Sequence, residues 1–153
     1  MAYKKIMLST ALDEPVIDNL LVDAAITPGH LCERTATGAK KHATAGGTQD
    51  WLIALENTDE GEGIATALAA DEEARFWTPQ RGDKAYMLLA DGETAAIGNY
   101  LESYGDGTLR VVDTDASAGE IALQSIVGRA ETAVDMSGSA GEDPSGRIVV
   151  RTS

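Results

Sequence analysis

A catalyst built from this chain would have to draw on two histidines, one cysteine and 25 carboxylates. A Ser–His–Asp relay needs an imidazole held by a carboxylate beside a nucleophile. His30 follows Pro28-Gly29 in a turn signal, and His42 sits in KKHAT, on a strand expected to be exposed. Neither lies near a nucleophile motif such as G-x-S-x-G. Both therefore read as exposed or packed side chains and not as general bases. Cys32 falls mid-strand in LCE, with Arg34 two residues on and so on the same strand face. A reactive thiolate needs a helix N-terminus or nearby positive charge, so Cys32 reads instead as a small semi-buried apolar residue. One cysteine permits no intramolecular disulfide and no cysteine metal cluster, and it fits assembly in a reducing cytosol.

Two acidic stretches, Asp59-Glu60-Gly61-Glu62 and Asp113-Thr114-Asp115, offer oxygens for a hard cation. Neither follows the spacing of an EF-hand loop, so both read as solvated loops. A glycosidase pair needs a cleft lined for sugar, and aromatics are only 5% of the chain. Asp83-Lys84-Ala85 matches the D-K-A of lipoyl carrier domains, which makes Lys84 the attachment point of an alternative carrier reading. Arg81-Gly82-Asp83 is the cell-adhesion tripeptide, and a Gly-Asp turn between strands accounts for it without a receptor. A small hydrolase using acidic loops with His30 or His42 is a second alternative. The balance predicts no catalytic residue, no cofactor and no metal site.

The formal net charge of −13 weighs against nucleic-acid binding, because such a surface repels phosphate backbones. It also disfavours anionic membranes. No apolar run approaches the length of a membrane span. MAYKKIML is basic then apolar, but its apolar part is far too short for a signal peptide. The protein is expected to stay where it is made.

The elements that would position these residues are short strands. Lys84–Ala90, Thr94–Glu102 and Thr108–Val112 read as a three-stranded meander, turned at Asp91-Gly92 and at Gly105-Asp106-Gly107. Further strands are expected at His30–Thr35, Lys40–Ala45, Trp51–Glu56, Arg75–Thr78, Ile121–Val127 (continued by Gly128–Val134 after a kink) and Arg147–Arg151. WLIALE, at 51–56, is apolar enough to be buried on both faces. Residues 13–25 fit a short helix or an irregular segment. Residues 64–74, IATALAADEEA, are helical by propensity. Phe76 and Trp77 are adjacent, so on a strand their rings point to opposite faces. One of them is expected to point outward as a possible subunit-interface anchor.

The words GD-x-x-Y-x-x-LADGETA, then G-x-x-LES-x-GDGTLR, then VGRAETAVD and a closing RIVVR come in this order between Gly82 and Arg151. Together they resemble the head decoration (capsid cement) proteins of tailed bacteriophages, with the likeness running from about Gly29 to Arg151. The resemblance implies an all-β fold, a small β-clip or tulip-like barrel with little helix. It implies an extended connector at 64–74 in place of a helix. It implies a non-enzymatic virion protein, made in the bacterial host cytoplasm, that sits on the outer surface of an expanded head. There it would bridge neighbouring major capsid proteins, commonly as a homotrimer, and stabilise the shell.

Residues 1–12 read as an extended N-terminal arm and residues 13–153 as a single β-rich domain. Lys4 and Lys5 are local positive charge on an acidic chain, followed at once by Ile6, Met7 and Leu8. An extended arm offers unpaired backbone groups to a partner's sheet. Tyr3, Lys4, Lys5, Ile6, Met7 and Leu8 are therefore the expected capsid contacts. Ile6, Met7 and Leu8 precede the recognisable domain, so the core is expected to do without all three.

Overall fold

The computed structural model describes residues 3–11, 13–47, 51–113, 125–138 and 146–153. Thirteen strands account for its regular structure: β1 (Met7–Ser9), β2 (Val16–Leu21), β3 (Leu31–Arg34), β4 (Ala39–Lys41), β5 (Leu52–Ala54), β6 (Glu73–Thr78), β7 (Lys84–Leu88), β8 (Thr94–Ala95), β9 (Tyr100–Ser103), β10 (Leu109–Val111), β11 (Ile126–Ala130), β12 (Val134–Asp135) and β13 (Arg147–Thr152). Helix among the described residues is limited to a 3₁₀ turn at Thr58–Glu60 and a 3₁₀ residue at Ser125. The fold is all-β.

Three antiparallel sheets form. A six-stranded sheet runs β1-β7-β13-β11-β9-β10, a five-stranded sheet runs β2-β6-β5-β3-β4, and β8 pairs with β12. The small β-clip or tulip-like barrel that the resemblance implies does not close: the sheets are open. Single parallel bridges join Val22, after β2, to Ala39 of β4 at the two ends of the five-stranded sheet, and Leu89, after β7, to Leu109 of the edge strand β10, with no closing ladder among the described residues. At the first of these, Gly38 lies so close to β2 that a Cβ would overlap the Leu21 carbonyl oxygen.

Two apolar cores result. The first gathers Ile6, Leu31, Ile53, Leu55, Trp77, Met87, Leu101, Leu109 and Ile148, together with neighbours from the six-stranded sheet. The second lies on the other face of the five-stranded sheet and holds Val22, Ile26, Cys32, Leu52, Leu68 and Phe76. Strands β3, β5 and β6 thus separate the two cores and bury both of their faces. That is why residues 52–54 are wholly apolar and wholly buried.

The expected meander over residues 84–112 is only half present. β9 and β10 form a hairpin with Leu109 opposite Ser103. β7 instead pairs with β13, with Arg147 opposite Leu88, and with β1. Gly92 does take a positive φ of 82°, but β8 leaves to pair with β12. Residues 16–21 are a strand paired to β6 along its full length, not a helix or an irregular segment. Residues 64–74 carry no helix: Leu68 exchanges two backbone hydrogen bonds with Ile26 at 2.7 and 3.0 Å and is buried in the second core. The expected loop at 114–120 and most of the expected strand at 121–127 lie outside the described residues.

Candidate functional site

The N-terminal segment is extended, but it lies on its own domain. β1 adds to the edge of β7, Met7 opposite Ala85 and Ser9 opposite Lys84, with an irregularity between the two pairs. The Tyr86 N–H donates to the Ile6 carbonyl at 2.8 Å, and the Ile6 N–H donates to Glu56 Oε2 at 3.3 Å. Farther along, the Ala11 N–H donates to the Asp83 carboxylate. The Ile6 side chain is 0% exposed and belongs to the first core. The expectation that the core does without Ile6 is therefore corrected. β7 would otherwise present a bare edge, and the chain's own start covers it.

What remains outward is the polar part of the segment. Lys4 and Lys5 are exposed, Met7 and Leu8 are half-buried, and Tyr3 is 39% exposed. The Tyr3 ring meets Tyr86 edge-on at 5.2 Å. Behind Tyr86 lies Arg147, its guanidinium 5.9 Å from the ring centroid. Arg147 donates to the carbonyls of Pro28 at 2.6 Å and Ile64 at 2.7 Å, tying two loops to β13. Burial lowers its proton affinity, while Tyr86 and Glu56 pull the other way. Lys4 and Lys5 thus stand exposed next to the Tyr3–Tyr86 pair at this sheet edge.

The predicted interface aromatics are corrected. Phe76 and Trp77 do point to opposite faces of β6, yet both are 0% exposed, Phe76 in the second core and Trp77 in the first. β6 has a core on each side, so neither ring is left outward as an anchor.

The residues weighed for chemistry fall elsewhere. Cys32 is fully buried, and burial pushes its thiol far up. Lys84 is ion-paired with Glu131 at 3.0 Å on a paired strand, not at a hairpin tip. Asp83 is 1% exposed and holds the Gln80 N–H at 2.7 Å, so it is not presented to a receptor. His42, expected on an exposed strand, is instead 0% exposed, with Nδ1 2.7 Å from Ser103 Oγ and Nε2 3.8 Å from Glu33 Oε2. These are the residue types of a catalytic relay. However, Ser103 is also 0% exposed, so its hydroxyl has no open face for a substrate. Sequence reasoning missed both this cluster and the Arg147 tie. Their partners lie 61 and 119 residues apart, and no local motif marks either of them.

No protein-family model matches the chain, and no match was found among curated proteins. Among solved structures, the crystal structure of the head fiber gp8.5 N base in bacteriophage phi29 is similar over 92% of this chain and 95% of that one, with a TM-score of 0.56 and 12% identity. At that identity the likeness establishes a shared fold. This chain therefore has the fold of a phage head fiber base.

Proposed function

We propose that this chain is a non-enzymatic structural protein of a phage virion, seated on the outer surface of the head, where it bridges neighbouring major capsid proteins and stabilises the shell. The observation that carries this reading is the fold shared, over nearly the full length of both chains, with a head fiber base. The ordered sequence words between Gly82 and Arg151 support it independently. The acidic surface is consistent with a protein displayed at high density without aggregating.

In this reading the capsid contacts are Tyr3, Lys4 and Lys5, just before β1, and Met7 and Leu8 in it, with Ile6 anchoring them from within. The free edge of β1 would take a strand from the major capsid protein. Exposed lysine pairs alone contribute only about 0–1 kcal/mol each, so strand pairing and apolar contact must supply most of the affinity. A homotrimer would multiply this modest interface, since several contacts must break together before it leaves. Mixing the purified protein with decoration-free expanded capsids, and counting copies bound at saturation, tests the proposal.

A further inference from the structure

Two hairpins, one from each large sheet, meet at His42. The Leu31 N–H donates to the Gly107 carbonyl at 2.8 Å, the Gly107 N–H donates to the His42 carbonyl at 3.1 Å, and the Gly46 N–H donates to the Ser103 carbonyl at 2.9 Å. These bonds dock the β9–β10 turn against β3 and the end of β4. The buried side chains of His42, Ser103 and Glu33 fill the same junction.

We propose that His42, Ser103 and Glu33 form an acid-sensitive latch between the β3–β4 and β9–β10 hairpins, closed while the imidazole is neutral and released when it takes a proton. The hydrogen bonds fix the logic. Ser103 Oγ accepts the Gly105 N–H at 3.2 Å. In the neutral tautomer with its hydrogen on Nε2, the Ser103 hydroxyl donates to His42 Nδ1 at 2.7 Å and the ring hydrogen faces Glu33. Protonating Nδ1 turns it into a donor, so the Ser103 hydroxyl must rotate to accept from it, and a cation must sit where the ring has no exposed surface.

The charged groups around the ring decide how costly that is. From β3 comes Glu33, whose Oε2 makes no hydrogen bond and lies 3.8 Å from Nε2. From β4 come Lys40, which takes Glu33 Oε1 at 3.2 Å and so weakens its pull, and Lys41, whose stem lies against Gly107. From the β9–β10 turn comes Asp106, already engaged by the Thr108 N–H and hydroxyl. Across Gly107 stands His30, its Nδ1 accepting the Thr27 N–H at 3.0 Å. Burial holds the His42 imidazole below its ordinary 6.5, Glu33 opposes that, and Lys40 adds to the lowering. A histidine lowered by folding binds its proton more readily when released. The latch is therefore at full strength above about pH 6.5 and weakens as pH falls from there through the folded value.

The test is amide hydrogen exchange on the full chain at about pH 7.5 and about pH 5, corrected for intrinsic rates, with His42 followed by NMR titration. Protection at Leu31, Gly107 and Gly46 should fall about tenfold more than in the β7–β13 ladder at the lower pH, with a midpoint matching that of His42. In His42→Gln, which keeps an amide but no titration, the differential loss should vanish. Should that variant not fold, the wild-type midpoints decide alone. The latch is overturned if the three amides track the β7–β13 ladder at both pH values, if their loss follows His30 instead, or if His42→Gln retains it.

Discussion

Trp77 shows what a single side chain does in this molecule. Its ring is sealed between β6 and the six-stranded sheet, so Trp77→Ala should cost about 3–5 kcal/mol in chemical denaturation. Val16→Ala, on a side chain 43% exposed, should stay within about 0.5 kcal/mol. An outward-facing Trp77 would give the reverse of that contrast, with little stability lost. Adjacency in sequence made the opposite facing of Phe76 and Trp77 legible, because strand side chains alternate. That both faces are cores was not legible, since it depends on β6 lying between two sheets that the chain assembles from distant segments. His42 is the same case: its neighbours Lys40 and Lys41 suggested solvent, while the residue that takes it inside, Ser103, is 61 positions away. Ile6→Ala should likewise cost about 2–5 kcal/mol, which separates a core residue from a dispensable arm residue.

At the scale of elements, the N-terminal segment covers the edge of β7 and, in the proposed reading, contacts the capsid, and truncation can separate the two. Removing residues 2–5 takes away Tyr3, Lys4 and Lys5 but leaves Ile6 and β1. That variant should keep nearly the stability of the full chain and bind capsids more weakly. Removing residues 2–8 also deletes Ile6 and bares the edge of β7, so its melting temperature should drop by several degrees (about 2–4 °C per kcal/mol for a chain this size). Replacing Lys4 and Lys5 by Ala should weaken capsid binding mainly at low salt, because exposed charges are screened within about 10 Å at 0.1 M salt. Strands β3, β5, β6 and β13 were legible from β-branched or apolar runs between turn residues. β2 was not, because Val16, Ile17, Leu20 and Leu21 fit a helical face as well as a strand. Its pairing with β6 decides the matter. The Asp91-Gly92 turn misled for a related reason: the dipeptide fixes a local bend but not which strands pair across it.

The whole molecule is an all-β chain of two large sheets with an acidic surface, and that class was legible from turn spacing alone. That its sheets stay open was not legible, because closure depends on edge-to-edge register that no local pattern encodes. The proposed docking surface was legible only in outline: the basic residues before β1 stand out by charge, but the mounting of this segment on β7 and Tyr86 is tertiary. The central claim is seating on a phage head, and its most direct measurement is titration of decoration-free expanded capsids with the purified full chain, counting bound copies by quantitative gel or mass analysis. The account predicts a plateau at a fixed copy number set by the capsid lattice, with the decorated heads resisting heat better than bare ones. Binding that never saturates, or no binding to expanded heads at all, would contradict it.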